Sequence, residues 1–404
     1  MEADIAIVIA AYNRPASLLR LLGSVAAANY QGYGNISLYL SIDHSGSDDC
    51  KYIAEAFEWK YGTKKVLQHS QNLGLKKHIL SCGDLSQQHE GVIVLEDDLF
   101  VSPGFYDYAQ QAYAFYKADD QVAGIALYHN SFNEVAYCPF EPLHDGFDNY
   151  FMQVPCSWGQ LWTGKQWRGF VHYMNGAKDE EMRTLPGNVQ QWPGKSSWKK
   201  YFYSYLHQSG KYFVYPRIGL STNFGDAGQH LQQSQAVFQT PLLLSTKIFQ
   251  FSTLSDSLSL YDGFFELSGD VYKRFVGSNE AVSFDLNGTK PLHSVTTKYL
   301  ISSKQCKRPQ QKFAVACYPY ENNILLSIMR NGNSEAYFSF GETSDFSEQP
   351  QFSRLPIDVN RIFLNDTFVK QAVRTEYEKS KPFRLGNTLL APLQFVKKIL
   401  NRTK

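Results

Sequence analysis

Apolar positions in the first 130 residues fall into short unbroken runs separated by stretches of helical spacing. Residues 5–10 and 92–95 are wholly apolar and read as strands buried on both faces. Residues 36–42, 65–68 and 122–127 supply three more strands. Between the first two strands, Leu18, Leu19, Leu22 and Val25 give a helix a core face, and Pro15 suits that helix's first position. Further helices are expected through about residue 59, after the turn at 69–77, and over 103–117. Strand and helix alternate, which calls for a mostly parallel sheet covered by helices on both faces.

The rhythm breaks at residues 128–200, which are loop-rich and aromatic. A helix over 196–207 has Ser196 or Ser197 as its cap, and a strand follows at 212–215. The Gly-rich stretch 216–230 reads as a mobile loop over a site. Beyond a boundary between 235 and 285 the pattern changes to short strands at 299–302, 312–317, 323–329 and 336–340. From Lys379 onward there are seven Lys or Arg and no acid, with Leu389, Leu393, Val396 and Leu400 at helical spacing. Such a basic amphipathic helix either lies on an anionic membrane surface or docks on its own domain. The expected division is an α/β domain over 1–235, an extension or linker over 236–285, a β-rich appendage over 286–378 and a basic tail over 379–404.

Composition narrows the field modestly. A net charge of +1 over 404 residues argues against a general nucleic-acid or polyanion binder. Aromatics at 15% suit sugar-stacking surfaces and equally suit a large aromatic core. The six cysteines show neither zinc-ligand spacing nor a disulfide framework. The first residues lack a basic region, the apolar run at 5–11 is short for a signal peptide, and no stretch reaches the roughly 20 apolar residues of a membrane span. Together these point to a reducing cytoplasm.

The candidate chemistry gathers where strands end. Glu96, Asp97 and Asp98 follow the fourth strand. Ligands of open α/β sheets bind outside the carboxyl ends of the strands. Three acids there repel one another unless a cation joins them, and a hard divalent ion carried by a diphosphate meets that need. Arg14 follows the first strand, where it can stack on or hydrogen-bond a base. Asp43 ends the second strand and either terminates it or accepts an N–H from uracil. Lys76 and Lys77 open a helix, as solvated lysines or as phosphate neutralisers. His230 is either a structural loop histidine or a ligand to the metal or diphosphate. Singly each has a plain structural reading, with the acids as a solvated turn; their convergence on one crevice favours a metal-held nucleoside diphosphate. No Gly-x-Gly-x-x-Gly follows the first strand, and neither a Walker lysine loop nor a Gly-x-Ser-x-Gly elbow is present.

These segments, with residues 99–108, Ser157-Trp158-Gly159, Trp198 and residues 215–225, resemble the GT-A glycosyltransferases over roughly residues 4–230. Within that fold they are most similar to bacterial family-2-like enzymes of surface polysaccharide synthesis and to N-acetylglucosaminyltransferase I. The resemblance implies a Rossmann-like GT-A domain with a β-rich C-terminal appendage and a terminal amphipathic helix. It implies Asp98 as direct ligand to Mn²⁺ (or Mg²⁺); His230 stays a candidate metal ligand on its own residue reading. Glu96 and Asp97 would contact ribose and sugar, Arg14 and Asp43 would hold the base, and Trp158 would line the sugar or acceptor pocket. The expected partners are a nucleotide-sugar donor, UDP-linked by family likeness, a cell-surface or lipid-linked glycan acceptor, and an anionic membrane at the inner face; nucleic acid is not expected. Relatives place the general base of an inverting displacement directly after the tryptophan equivalent to Trp198. Here the chain reads Lys199-Lys200, and a lysine at its ordinary pKa is protonated at neutral pH. Asp145, Glu180, Glu181 and Asp226 are the alternative bases, an anionic acceptor held by Lys199 or Lys200 is a second resolution, and loss of transfer is a third. Outside this class, a sugar-phosphate nucleotidyltransferase and a degenerate nucleotide-sugar- or glycan-binding protein stay open.

Overall fold

The structure is a computed structural model that describes residues 2–226, 236–330 and 336–352. His230, the turn at 331–334 and the basic tail lie outside the described residues. Contacts make the described residues up to Phe352 one compact unit.

Strand β1 (Ile5–Ala11) is buried at every position, as its unbroken apolar run requires. Helix α1 (Pro15–Ala26) starts on Pro15, whose missing N–H costs nothing in a first turn, and buries Leu18, Leu21, Leu22 and Val25. β2 (Leu38–Ile42) is fully buried, and α2 (Asp49–Ala56) ends three residues before Trp59, whose indole N–H turns back to the Ile36 carbonyl. β3 (Lys64–Gln68) is the half-exposed edge, followed by α3 (Gly74–Asp84). β4 (Gly91–Glu96) is buried up to Leu95. Burial of each such aliphatic side chain contributes roughly 1.5–3 kcal/mol.

A short strand, β5 (Leu99–Val101), precedes α4 (Phe105–Tyr116), and β6 (Val122–Ala126) follows. The ribbon β7 (Phe132–Asn133) and β8 (Cys138–Pro139) leads to β9 (Asn149–Met152) and β10 (Gln160–Thr163). α5 (Gly164–Gly176) opens on a reciprocal Thr163–Gln166 capping box, and α6 (Gly187–Gln190) is one turn. α7 (Trp198–Ser209) is capped by Ser197, whose hydroxyl accepts from the Lys200 N–H at 3.2 Å. β11 (Tyr212–Pro216), β12 (Ser221–Asn223) and β13 (Leu260–Tyr261) follow.

Among the described residues, nine strands form one sheet in the order β13-β9-β11-β6-β10-β4-β1-β2-β3. It is mostly parallel, with β10 inserted antiparallel between β4 and β6, and β9 antiparallel to β11. The aromatic stretch that lacked a clear rhythm therefore supplies central strands. Its tryptophans pack the sheet to α5 and α7: the Trp162 ring lies 4.7 Å from Trp167 and 5.6 Å from Trp198. Gly83 permits this, since a Cβ there would stand 2.2 Å from Trp167.

After α8 (Gly269–Val276), a smaller sheet of order β14-β15-β18-β17 joins β14 (Val282–Asp285), β15 (Tyr299–Ser302), β17 (Gln311–Phe313) and β18 (Phe338–Glu342). β16 (Lys304–Cys306) pairs with β19 (Phe346–Pro350). The strand expected over 323–329 is instead a short helix, α9 (Glu321–Leu325), a correction with a local cause. Asn323 is wholly buried: its carbonyl oxygen accepts from the Ala316 and Cys317 N–H groups, and its amide donates to the Cys317 and Tyr320 carbonyls. That side chain closes a turn which an extended backbone would open.

Candidate active site

β1 and β4 are parallel neighbours, with Ala10 opposite Glu96. From β1 the chain crosses to β2 on one side, while β4 lies on the other, so a crevice opens beyond their carboxyl ends. The residues that follow β1, β2 and β4 line a cleft of about 200 Å³ there, with the start of α3 as another wall.

The Arg14 guanidinium bridges two carboxylates. Nη1 donates to Asp98 Oδ2 at 2.9 Å and Nη2 donates to Asp97 Oδ1. Burial opposes the Arg14 charge, but Asp97 and Asp98 outweigh it and hold its pKa above the ordinary value. Burial raises Asp97 to about 6 against the pull of Arg14. Burial, then Asp98 and Asp97, push Glu96 well above the usual carboxylate range. The triplet is thus short of positive charge even with Arg14 in place.

A divalent ion fits that deficit on one specific atom. Asp98 Oδ1 is buried and has no hydrogen-bond partner among the described residues. Among those residues no group of three or more His, Cys, Asp or Glu forms a preassembled metal cage. Asp98 therefore offers one anionic oxygen, and the remaining ligands of an ion would come from a diphosphate and water.

Asp43 is buried beside the cleft, and its carboxylate ties the chain. Oδ1 accepts from the His44 and Leu73 N–H groups at 2.9 and 2.8 Å, and Oδ2 accepts from Gly74 N–H at 3.0 Å. These bonds hold the first turn of α3, where Gly74 adopts φ +73°. One turn on, His78 is buried with Nε2 2.8 Å from Ser41 Oγ. Burial, against Asp43, brings His78 down to about 4. Between its ordinary 6.5 and that value the unfolded chain binds the proton more readily, so stability falls as pH drops through this window. His78→Gln is expected to flatten this part of the stability profile by on the order of 2 kcal/mol. Urea unfolding at about pH 4.5 and pH 7 checks this; identical pH slopes in both proteins would remove His78 as the cause.

The sequence candidates separate in space. Glu96, Asp97, Asp98, Arg14, Asp43 and Asp226 share the cleft. Arg14 is engaged on the carboxylates, a different task from holding a base. Lys76 turns the other way: its Nζ donates to the Gly194 carbonyl at 3.4 Å and sits 3.8 Å from the Tyr201 ring centre, and Lys77 is exposed. Trp158 packs on Tyr128 and Phe238 at 4.7 and 4.8 Å. Gly159 makes its turn at φ +91°, where a Cβ would meet Ser221 Oγ at 2.9 Å.

The proposed bases fare unequally. Asp145 is buried in an ion pair with Arg217 at 2.7 Å and also accepts from Ser257 Oγ and Leu258 N–H. It holds the loop before β9 and does not line the cleft. Glu181 accepts from Tyr173 Oη and Lys178 N–H, which hold its pKa below the ordinary value, and Glu180 is exposed on the same turn, away from the cleft-lining residues. Asp226 lines the cleft; it accepts from Ser17 Oγ at 2.7 Å and pairs with Arg20, contacts that outweigh burial and lower its pKa. The antiparallel pair β5–β12 brings it there, with Phe224 N–H donating to the Asp98 carbonyl at 3.0 Å.

Sequence reasoning placed Lys199 only by its neighbour Trp198. Its Nζ lies 5.1 Å from the Trp158 ring centre and 5.5 Å from Trp192, and its charge acts on Glu96. Nothing in local spacing links residues 96, 158, 192 and 199; the insertion of β10 beside β4 does.

Fold and cleft together define an α/β domain with an acidic cleft at a topological switch point. Residues 6–152 match the family described as Glycosyl transferase family 2. No curated protein matches the chain. Similar solved structures include the mannosyltransferase PcManGT from Pyrobaculum calidifontis in complex with GDP-Man and Mn²⁺, at 8% identity over 41% of this chain and 46% of that one, TM-score 0.29. GalNAc-T7 with UDP, GalNAc and Mn²⁺ matches at 14% identity over 54% and 42%, TM-score 0.38. S. aureus TarS 1-349 matches at 12% identity over 54% and 59%, TM-score 0.33. The chain thus spans about two-fifths to three-fifths of the length of these structures.

Proposed function

We propose that the protein transfers a sugar from a UDP-linked donor to a cell-surface polysaccharide or lipid-linked glycan, with inversion and with a divalent ion, preferably Mn²⁺, at Asp98. The observation that carries the reading is the buried, unpartnered Asp98 Oδ1 beside Asp97, Glu96 and Arg14 in the switch-point cleft. When bound, the ion would offset charge on the departing diphosphate. Glu96 and Asp97 face the ribose and sugar. Arg14, which bridges Asp97 and Asp98, would add a positive charge beside a bound diphosphate. Asp43 fixes the α3 entrance and keeps an acceptor oxygen at the base end of the cleft. Asp226, the carboxylate among the proposed bases that shares the cleft, orients the acceptor hydroxyl and takes its proton. The basic tail, with its apolar stripe, would hold the enzyme at the inner membrane face.

Calorimetric titration of UDP, GDP and dTDP with and without Mn²⁺ tests this. UDP is expected to bind best, and only with the ion. Absence of metal-dependent binding by all three would remove the donor-site reading. A second reading, donor binding without transfer, is favoured by the engagement of Asp145, Glu181 and Asp226 in other contacts. Slow hydrolysis of a bound donor would exclude it.

A further inference from the structure

Three lysines surround the start of α7, and two have protein acceptors. Lys200 Nζ donates to the Gln190 and Trp192 carbonyls at 2.6 and 3.0 Å, and Lys76 Nζ donates to Gly194. Lys199 makes no hydrogen bond and no ion pair within 4 Å among the described residues. Its half-buried ammonium instead stands over two half-buried indoles, Trp158 at 5.1 Å and Trp192 at 5.5 Å. Cation–π attraction fixes a long side chain that solvent would otherwise leave mobile. The position is next to the cleft, since the Lys199 charge acts on both Glu96 and the buried Cys156 thiol.

Indole faces accept the apolar C–H face of a sugar ring. An ammonium already localised beside them has lost most of the freedom that ion pairing would cost, and it retains unfilled donors. A neutral sugar would leave this cation without an ion-pair partner within 4 Å among the described residues. A carboxylate or phosphate on the sugar would supply one, in a site partly screened from water, where charged hydrogen bonds are strong.

We propose that Trp158, Trp192 and Lys199 form a subsite for an acidic sugar, and that Lys199 reads its carboxylate or phosphate. This rests on the donor-site reading above for its place in the reaction. The acidic group belongs either to the donor sugar or to the acceptor; the chemistry recognised is the same.

The test uses the full chain as wild type, Lys199→Gln and Lys199→Arg. In the acceptor arm, methyl glycosides of glucose, galactose and mannose are titrated by ligand-observed NMR against their uronic acids and 6-phosphates, with and without UDP and Mn²⁺. In the donor arm, UDP-glucuronate and UDP-galacturonate are compared with UDP-glucose and UDP-galactose. The wild type is expected to favour the acidic form about tenfold in one arm, which identifies the source. Lys199→Gln should erase that preference, Lys199→Arg should keep most of it, and UDP affinity should change less than about twofold in both. Equal binding of acidic and neutral forms by the wild type in both arms, no saccharide binding in either, or an unchanged preference in Lys199→Gln would overturn the proposal. Failure of UDP to bind would instead remove the donor-site reading, and the nucleotide-free acceptor titration would then decide Lys199 alone.

Discussion

Asp98→Asn is expected to abolish Mn²⁺-dependent nucleotide binding and to lower transfer or donor hydrolysis at least a thousandfold. The substitution keeps the shape of the side chain and removes its charge. Asp98 Oδ2 already accepts from Arg14 at 2.9 Å, so Oδ1, buried and unpartnered, is the oxygen left for an ion. An amide can present either a neutral oxygen or an NH₂ group there, and the NH₂ would point a donor at the cation. Loss of a metal's charge stabilisation is worth several kcal/mol, and about 4 kcal/mol corresponds to roughly a thousandfold in rate. The fold should survive, because Arg14 keeps Asp97 and β4 keeps its buried run. Titration of UDP with and without Mn²⁺, alongside donor hydrolysis, provides the check. Unchanged metal-dependent binding would place the ion elsewhere.

The same residues show how far a sequence carries such a site. The buried strands β1 and β4 were readable because parallel central strands demand unbroken apolar runs, and the acids after β4 stood out against that background. Arg14, Asp43 and the triplet all reach the cleft, since each directly follows a strand whose place the alternation predicts. Side-chain direction was not legible. Lys76 lies on α3 two residues after cleft-lining Gly74, yet helical rotation turns it to Tyr201. Asp145 and Glu181 were plausible bases by position, but their partners Arg217 and Tyr173 lie 72 and 8 residues away and carry no local signature of pairing. The antiparallel entry of β10 could not be anticipated from a four-residue strand, and it is what brings Trp158, and with it Lys199, to the Glu96 side.

Lys304→Ala is expected to destabilise the protein by roughly 3–5 kcal/mol, the range for uncoupling a buried ion pair. Lys304 on β16 is 3% exposed and Asp285 on β14 is fully buried, with Nζ 3.4 Å from Asp285 Oδ2. Lys304 also pairs with Glu348 at 2.7 Å and donates to the Lys290 carbonyl. Burial raises the pKa of Asp285, and Lys304 is the largest influence lowering it. Without the lysine, Asp285 keeps hydrogen bonds from Lys290 N–H at 2.9 Å and Ser302 Oγ at 3.1 Å, but its nearest counter-charge is gone. The folded state then holds a proton on Asp285 over a wider pH range than the unfolded chain does. Stability of the variant should therefore fall further below wild type as pH rises from about 5 to 8. Adding Asp285→Asn should recover part of the loss, because the buried charge leaves with its partner. Urea unfolding at both pH values measures all three proteins, and UDP binding below the transition should remain that of wild type, since none of these residues lines the cleft. A loss under about 1 kcal/mol, or one independent of pH, would mean that Asp285 is already neutral in the wild-type fold and that Lys304 serves Glu348 alone.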